Sequence, residues 1–575
     1  MTSSCNWAPC RLDAAVRVLL VCLIYLGLLV MLATVSDVHA HEDTASRDNP
    51  DTQFCDADSS VPCVADSRST IGQQQQRKEK LPSIVMVVVD DLGWNDMGYG
   101  GAEYNTTTVD GLAADGILLS QYYVQSTCSP SRSALLSGRY PFRDGLAHRV
   151  VTNGYPFGLP LSVTTLANAL RLAGYANHAI GKWDVGMHER AYTPTRRGFD
   201  SFLGHYGAVV DHYTFMINAD AEDNPVAGNI TGRDLHVNEA AATDIGDVYS
   251  TELYGQRAVE LIDSHDFDAK PLFMYLAYTA VHSPLQVPAE DTRVAHCEHV
   301  APMKRKLLCG MLQALDDSIA DVVSALKRAS AWENTVFIFT TDNGGQATEG
   351  SSNYPLRGNK RTMFEGGVRG TAFVHYPQFQ SRLKGSTSNA LMHLVDWLPT
   401  LTEGVADYAL ASIPNLQSLD GMNIWPALTT GSTSPRSEIL LNLDPPADAS
   451  TSEPDGYIGQ AALRFEEWKL IVGLPNCSVN PLPANALGGG CPSGWLRPGS
   501  PDVETEPRAA DQLLWLFDLD ADPEENNDLS EALPGIVAMM REKLSKYPKV
   551  VQTHVPFDPK SDPQRFNGYW TPWLD

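Results

Sequence analysis

Hydrophobic positions along the chain follow two patterns that predict two kinds of element. Uninterrupted runs of β-branched and other apolar residues are typical of strands buried on both faces, as in a parallel sheet. Such runs lie at Ile84–Val89, Leu272–Ala277 and Val336–Thr340. Apolar residues spaced three and four positions apart are typical of helices, which are predicted at Val163–Ala173, Tyr254–Ser264 and Gly310–Ser330. The alternation predicts an α/β fold with a large, mainly parallel sheet flanked by helices.

The pattern changes from about residue 435. Shorter strands are predicted at Trp468–Val472 and Leu513–Asp518, separated by loops rich in Pro and Gly, and a late helix at Pro534–Ser545. A single core stops growing at roughly 250–300 residues, and the chain has 575. We therefore expect two packed units, a larger domain at 81–434 and a smaller subdomain with an antiparallel sheet at 435–575.

The first 40 residues have the pattern of a targeting segment. Arg11 and Arg17 precede an apolar run at 18–35, and Ala40 ends a motif of small residues. This is typical of a secretory signal peptide cleaved after Ala40. The alternative is an uncleaved anchor, because the run approaches the ~18 residues that a membrane span needs. Either way the rest of the chain enters the secretory pathway, for lysosomal delivery or secretion, and three glycosylation sequons fit that compartment: Asn105, Asn229 and Asn476.

Composition separates one segment from the rest. Hydrophobic residues make up 43 % and charged residues 19 % of the chain, which is ordinary for a globular protein. Residues 41–80 are rich in Asp, Ser and Gln and poor in large apolar side chains, which predicts a disordered linker. The 69 acidic and 42 basic residues give a formal net charge of −27, which argues against nucleic acid as a partner.

Seven of the ten cysteines follow the targeting segment. In an oxidising compartment six of them can pair. Proximity along the chain favours Cys55–Cys63, Cys297–Cys309 and Cys477–Cys491, although spacing alone does not determine connectivity. Cys128 is then left over, in an unusual sequence context.

Two predicted strands end in matching groups of polar residues. Asp90 and Asp91 follow the first strand, and Asp342 and Asn343 follow the strand at Val336–Thr340. In an open α/β sheet, ligands bind at the carboxyl ends of the strands. Three carboxylates and an amide oxygen there would suit Ca²⁺ or Mg²⁺ rather than zinc. The alternative is that each Asp only caps a helix or forms an Asx turn.

The residues around Cys128 favour the functional interpretation. Residues 128–139 are CSPSRSALLSGR, which resembles the sulfatase signature C-x-P-S-R-x-x-x-L-[TS]-G-R. In that family the formylglycine-generating enzyme of the endoplasmic reticulum converts the cysteine to Cα-formylglycine, whose hydrated aldehyde is the nucleophile. A secretory signal would bring Cys128 to that partner.

Other segments extend the resemblance from about residue 83 to the C-terminus. They are DDLGWND at 90–96, GKW at 181–183, PTRRGFD at 194–200, VHSPLQVP at 281–288, TDNGG at 341–345, LRG at 356–358, EGGVRG at 365–370, DWLPT at 396–400 and LFD at 516–518. Within the family these segments are similar to the arylsulfatase B type, the N-acetylgalactosamine-4-sulfatases. The resemblance implies an alkaline-phosphatase-like α/β sandwich with a small C-terminal sheet, and it makes 81–434 the catalytic domain.

Position by position, the resemblance implies a set of site residues. One Ca²⁺ would be bound with the sulfate by Asp90, Asp91, Asp342, Asn343 and the modified Cys128. Arg132 would orient the aldehyde hydrate, Lys182 and Lys360 would bind the sulfate oxygens, and His282 would protonate the leaving alcohol. The chemistry requires such groups, because charge builds on the sulfate oxygens and a sugar alkoxide leaves poorly without a proton donor.

One position departs from the family. The family motif G-K-W-H-[LM]-G has a histidine that contacts the second hydroxyl of the hydrate, and this chain has Asp184 there. Asp can accept a proton, but its charge adds repulsion beside an anionic substrate, which would raise its own pKa. Three outcomes are open: Asp184 serves as the base, His188 replaces it, or turnover is lost. We favour a working enzyme with altered catalysis.

The sequence therefore predicts a calcium-dependent sulfatase that acts on a sulfated carbohydrate. The expected substrate is a 4-sulfated N-acetylgalactosamine unit of a glycosaminoglycan-like glycan. One alternative is a related phosphodiesterase or phosphonate hydrolase, since the scaffold supports both kinds of ester. Another is a catalytically impaired relative that binds sulfated glycans, which is suggested by Asp184.

Overall fold

The computed structural model describes residues 80–147, 150–218, 230–288, 292–443, 461–473, 514–548 and 555–575. The predicted targeting segment lies outside these ranges, as do the predicted linker up to residue 79 and the pairs Cys55–Cys63 and Cys477–Cys491. Within the described ranges, no helix has both the length and the hydropathy needed to cross a membrane.

Strands and helices alternate through most of the chain. The strands are β1 (Ser83–Val89), β2 (Ile117–Leu119), β3 (Tyr122–Tyr123), β4 (Ala176–Lys182), β5 (Ser201–His205), β6 (Met216–Asn218), β7 (Thr231–Arg233), β8 (His236–Val237), β9 (Ala240–Ala241), β10 (Leu272–Tyr278), β11 (Thr335–Thr341), β12 (Ala372–His375), β13 (Ser386–Ser388), β14 (Met392–His393), β15 (Glu438–Leu443), β16 (Ala461–Phe465), β17 (Trp468–Val472) and β18 (Leu514–Asp518). The α-helices are α1 (Thr107–Ala114), α2 (Cys128–Ser137), α3 (Leu166–Leu172), α4 (Ser250–Ser264), α5 (Thr292–His296), α6 (Met303–Arg328), α7 (Glu365–Val368), α8 (Trp397–Pro399), α9 (Trp425–Thr430) and α10 (Pro534–Ser545).

One large sheet runs through the centre of the molecule. Its strand order is β13-β2-β12-β11-β1-β10-β4-β5-β8-β9. The central neighbours β11, β1, β10, β4 and β5 are parallel, whereas β12 and β8 pair in the antiparallel sense. The predicted large, mainly parallel sheet is confirmed.

The uninterrupted apolar runs cover both faces of this sheet. Along β1, one hydrophobic cluster takes Ile84, Met86 and Val88, and a second takes Val85, Val87 and Val89. Successive strand residues point to opposite faces, and all of these side chains are fully buried. A strand covered on both sides cannot alternate polar with apolar residues, which explains the continuous pattern in the sequence.

Helix α6 packs on one face beside α4. Its apolar stripe is fully buried, as predicted: Leu312, Leu315, Ile319, Val322 and Leu326. The helix begins at Met303, earlier than predicted. The apolar pattern did not indicate its first turns, because they contain Lys and Arg in place of an apolar stripe. Helix α3 begins later than predicted, at Leu166, because the Thr165 side chain accepts the N–H of Asn168 and caps the helix there.

The predicted disulfide Cys297–Cys309 is present. It joins the segment after α5 to α6, on the side of the large sheet that α6 covers. The other two predicted pairs stay predictions.

The C-terminal part forms its own sheet. Strands β15, β16, β17 and β18 pair in chain order, and every pair is antiparallel. Helix α10 packs on β16 and β17. The smaller antiparallel sheet is confirmed, and the boundary between 434 and 435 stays a prediction.

Candidate active site

Parallel strands deliver the predicted site residues to one edge of the large sheet. In register, Val89 of β1 lies between Thr341 of β11 and Tyr278 of β10. Asp90 and Asp342 therefore leave adjacent strands at the same level. Strand β4, which pairs with β10, ends at Lys182, and the turn after β10 leads to His282. Residues far apart in the chain thus meet where α/β sheets bind ligands.

Cys128 is the first residue of α2, whose residues are all buried. Its thiol is 2 % exposed and forms no disulfide with the other described cysteines. Burial raises the pKa of the thiol to about 11, although Lys182 and Lys360 oppose this shift. A thiol with this pKa is protonated at neutral pH, and it is the thiolate that acts as a nucleophile.

The acidic residues form a compact buried cluster. Carboxylate oxygens of Asp90, Asp91 and Asp342 lie within 4.8 Å of one another, and the three residues are at most 2 % exposed. Oδ1 of Asp90 and Oδ1 of Asn343 are buried and accept no hydrogen bond from the described residues. Buried oxygens without a partner are costly. Burial and the neighbouring Asp90 carboxylate raise the pKa of Asp342 to about 6. This oxygen donor set fits a hard divalent cation such as Ca²⁺.

Two buried lysines pair with carboxylates of the cluster. Lys182 Nζ donates to Asp90 Oδ2 at 2.7 Å, and Lys360 Nζ donates to Asp91 Oδ2 at 2.8 Å. Burial works to raise the pKa of Asp91, but the Lys360 ammonium, His282 and the Asn343 amide together outweigh it and hold this pKa well below its usual value. These pairs keep the site charged while it is closed to bulk water.

Arg132 contacts the acidic cluster and the end of β4. Its Nε and Nη2 both donate to Asp342 Oδ2, at 3.1 and 2.7 Å, and its Nη1 donates to the carbonyl of Lys182 at 3.2 Å. In this structure Arg132 therefore orients a carboxylate of the cluster, a contact that the sequence resemblance does not imply.

His282 lies beside both the acidic cluster and Cys128. Its Nδ1 donates to the carbonyl of Ser283 at 2.7 Å, and its Nε2 lies 3.6 Å from Asp91 Oδ2. The ligand atoms of His282, Asp90 and Cys128 lie within 4.8 Å of one another. Burial, followed by the nearby Lys360 charge, lowers the pKa of His282 to about 3. The Nε2 atom thus faces the space between Cys128 and the carboxylates.

Asp184 directly follows Lys182-Trp183 at the end of β4. Its N–H donates to the carbonyl of Tyr206 at 3.0 Å, and its carboxylate Oδ1 accepts a hydrogen bond from Ser129 Oγ at 2.7 Å. Oδ2 lies 3.9 Å from Lys182 Nζ and accepts no hydrogen bond from the described residues. Burial raises the pKa of Asp184, against the effect of Lys182.

His188 lies in a different environment. Its ring packs against Tyr192 at an angle of 40°, with 4.1 Å between the ring centroids, and its centroid lies 6.3 Å from that of Trp573. The sequence suggested Asp184 and His188 as candidate bases. Of these two, Asp184 is hydrogen-bonded to Ser129, the residue next to Cys128.

Comparison with known proteins identifies the family. The sulfatase family model matches residues 82–406, more than half of the chain. The chain belongs to the sulfatase family. This sulfatase is 39 % identical to arylsulfatase J of Mus musculus over 507 residues, which cover 86 % of this chain and 80 % of the relative. It is 31 % identical to N-acetylgalactosamine-6-sulfatase of Rattus norvegicus over 375 residues, 61 % of this chain and 66 % of the relative.

A solved structure extends the similarity to the fold. The crystal structure of Ps i-CgsB in complex with k-i-k-neocarrahexaose has a TM-score of 0.65 and 25 % identity to this sulfatase, over 84 % of this chain and 96 % of that one. The predicted alkaline-phosphatase-like fold is confirmed, and the chain is a sulfuric ester hydrolase.

The sulfatase brings all of the predicted site residues to one edge of the sheet, and it adds two residues that sequence reasoning missed. Ser129 occupies the variable position of the signature, yet its hydroxyl accepts the N–H of Val151 at 2.7 Å and donates to Asp184. His212 Nε2 donates to the carbonyl of His282 at 2.9 Å, and its Nδ1 lies 3.0 Å from Ser250 Oγ. Ser129 could have been found from the sequence, because it is a polar residue next to the signature cysteine. No sequence motif marks His212.

Proposed function

We propose that this sulfatase is a calcium-dependent hydrolase of sulfate esters on sulfated sugars, with a formylglycine made from Cys128 as its nucleophile. The observation that carries the proposal is the position of Cys128, which begins a buried helix beside a cluster of carboxylates and two lysines. As substrate we propose 4-sulfated N-acetylgalactosamine units of glycosaminoglycan-like glycans. The name of the rat relative supports the sugar, and the 4-position rests on the sequence resemblance.

Four residues would hold the calcium ion: Asp90, Asp91, Asp342 and Asn343. The modified Cys128 would be a further ligand. Support comes from the unpartnered oxygens of Asp90 and Asn343 and from the hard character of the donor set. When bound, the ion would neutralise charge that develops on the sulfate oxygens. Arg132 would keep Asp342 oriented towards it.

The environment of Cys128 supports a role through modification. With its pKa at about 11, the thiol itself is a poor nucleophile at neutral pH. The hydrated aldehyde of formylglycine would supply one hydroxyl for attack on sulfur. Loss of a proton from its second hydroxyl would then expel sulfate and restore the aldehyde.

Lys182 and Lys360 would bind the sulfate oxygens. Both ammonium groups are buried, so they act in a low-dielectric site where charge stabilisation is strong. His282 would hold the proton that passes from Nε2 to the leaving alcohol oxygen. A bound sulfate would offset the charges of the two lysines, which are among the groups that lower the pKa of His282.

Asp184 would accept the proton in the second half-reaction. Its Oδ2 is free of hydrogen bonds from the described residues, while Ser129 holds Oδ1. A carboxylate can serve as a general base, and the raised pKa of Asp184 makes it a stronger base than an exposed aspartate. We therefore assign to Asp184 the step that the family histidine performs.

We propose the secretory pathway as the route of the protein, ending in the lysosome or outside the cell, with the formylglycine-generating enzyme as a partner on the way. The pattern of residues 1–40 supports this route. So does the disulfide Cys297–Cys309, because disulfides persist in oxidising compartments. The sequon residue Asn105 is exposed, while Asn229 and Asn476 lie outside the described residues.

The test is sulfate release from 4-nitrocatechol sulfate between acidic and neutral pH. The protein is made in a host that installs formylglycine, and the mass of the Cys128 peptide is checked. We expect the wild type to release sulfate and Cys128→Ala to release none. Parallel phosphate and phosphonate esters distinguish a related hydrolase. Sulfated-glycan binding without any sulfate release, despite a formylglycine at 128, would contradict the proposal and favour an impaired binding protein.

A further inference from the structure

A buried charge network connects the C-terminal sheet to helix α7. Lys469 of β17 donates to Glu365 Oε1 at 2.9 Å and forms an ion pair with Glu525 Oε1 at 2.8 Å. Glu525 also accepts the backbone N–H of Glu365 through Oε2, at 2.6 Å. All three side chains are fully buried. Glu365 also accepts the Tyr123 hydroxyl through Oε2 at 2.8 Å and lies 3.5 Å from Arg369 Nη1. The backbone N–H that begins α7 is bonded to Glu525 Oε2.

On one side, the glycine turn after Glu365 contacts the end of β11. The carbonyl of Gly367 accepts the N–H of Gly344 at 3.0 Å. A Cβ on Gly344 would lie 1.9 Å from the carbonyl oxygen of Gly366, so the two backbones touch without space for a side chain. Gly344 directly follows Asn343. The glycine turn after Glu365 is therefore in backbone contact with the residue next to Asn343.

On the other side, the same turn contacts the loop that carries Lys360. The N–H of Gly366 donates to the carbonyl of Arg357 at 2.6 Å. Arg357 in turn donates from Nη1 to the carbonyl of Glu525 at 2.9 Å. The N–H of Lys360 donates to the carbonyl of Gly345 at 3.1 Å. The loop is thus held between the turn, Glu525 and the end of β11.

A buried charge network of this kind adds little net free energy of folding. Burying charges costs desolvation free energy that offsets most of their attraction, and apolar replacements are often as stable. Hydrogen bonds of fixed direction, in contrast, determine where a backbone segment lies. In this network the hydrogen bond from Glu365 to Glu525 fixes the residue that directly precedes the glycine turn. That turn makes the contacts to Gly344 and to the loop of Lys360.

We infer that Glu525, held by Lys469, is a positioning residue of the sulfatase reaction. It sets the backbone of Glu365 and, through the glycine turn, the positions of Asn343 and Lys360. The inference rests on the proposed function, in which Asn343 binds calcium and Lys360 binds the sulfate.

The test compares Glu525→Ala and Glu525→Gln with a matched control, Asp396→Ala. Asp396 is also fully buried, accepts a backbone N–H, that of His393 at 2.8 Å, and binds a cation of the C-terminal part, Arg436 Nε at 2.8 Å. None of its hydrogen bonds in the described part of the chain reaches Asn343 or the loop of Lys360. We measure kcat and KM for 4-nitrocatechol sulfate, and amide hydrogen exchange over 343–367, under conditions in which circular dichroism shows folded protein.

We expect Glu525→Ala to lower kcat at least about tenfold below Asp396→Ala, since sub-ångström to ångström misplacement of catalytic groups has effects of this size. Exchange of the Gly344 and Lys360 amides becomes faster in Glu525→Ala and is unchanged in Asp396→Ala. Glu525→Gln keeps an acceptor for the Glu365 amide, and it restores both readouts to near the wild-type values.

Equal losses of kcat in Glu525→Ala and Asp396→Ala, with unchanged exchange at Gly344 and Lys360, would overturn the inference. An inactive wild type would instead contradict the proposed function, and the exchange comparison would still decide whether Glu525 positions the loop. If Glu525→Ala fails to fold, Lys469→Gln replaces it and is compared with Arg436→Gln by the same two measurements, with the same expected difference.

Discussion

The hydroxyl of Ser129 donates a hydrogen bond to Oδ1 of Asp184 across 2.7 Å. Ser129 directly follows the signature cysteine, and Asp184 occupies the position at which the family motif has histidine. The bond fixes the direction of the carboxylate, and the N–H of Val151 fixes the hydroxyl in turn. This sulfatase therefore holds an oriented carboxylate next to Cys128, where the proposed mechanism needs a proton acceptor.

Replacing Asp184 should slow the second half-reaction. We expect Asp184→Asn to lower kcat by about 10²–10⁴-fold, the usual contribution of a general base. A sulfated enzyme intermediate accumulates, because attack on sulfur precedes the affected step. Steady-state rates and the intact mass of acid-quenched enzyme measure both effects. Asp184→His, which introduces the family residue, should restore turnover, and an Asp184→Asn enzyme with wild-type kcat would refute the assignment.

Removal of divalent cations should abolish activity. Two buried oxygens of the proposed metal site, Asp90 Oδ1 and Asn343 Oδ1, accept no hydrogen bond from the described residues. A bound cation that is lost on unfolding stabilises the fold by mass action. We expect prolonged dialysis against a chelator to remove sulfate release and lower the unfolding temperature, and Ca²⁺ to restore both. Asn343→Ala should raise the half-activating Ca²⁺ concentration at least about tenfold. Full activity after complete chelation, verified by elemental analysis, would exclude the metal.

Acid should destabilise the protein partly through His205. This residue is fully buried, its Nδ1 lies 3.1 Å from Tyr254 Oη, and burial lowers its pKa from 6.5 to about 3. Between these pH values the unfolded state binds a proton that the folded state does not, so stability rises with pH across this window. The slope from one such group is at most about 1.4 kcal/mol per pH unit. Urea unfolding at several pH values should show a shallower slope for His205→Gln, and identical slopes would contradict this account.

Loss of the disulfide should weaken the fold without a large effect on catalysis. Cys297 and Cys309 close a loop with a sequence separation of 12, for which chain entropy predicts about 3 kcal/mol of stabilisation. We expect the double variant Cys297→Ser/Cys309→Ser to lose roughly that free energy of unfolding. Its kcat at 25 °C should stay near the wild-type value, because α6 contributes no residue to the proposed site. Reduction of the wild type serves as the control.

Local hydrophobic patterns were sufficient to predict the bounds of elements whose buried residues are apolar. The predicted bounds of β17 and α10 match the structure, and the continuous run of β1 was predicted to within one residue. The start of helix α6 could not be predicted from its local pattern. Its first turns carry Arg305, which is buried by partners that include Asp96 and Glu103, and a local pattern cannot indicate that a distant carboxylate makes an arginine buried.

The sequence by itself determined which residues enter the proposed site, because apolar runs that end in Asp90 and Asp342 and the signature around Cys128 are local features. Tertiary structure alone decided their partners. It joined Arg132 to Asp342 and Ser129 to Asp184, placed His188 near Trp573, and brought Glu525 to the amide of Glu365. These contacts span tens to hundreds of positions or depend on how strands are ordered in the sheet. They arise from the packing of separate segments, which no single segment encodes.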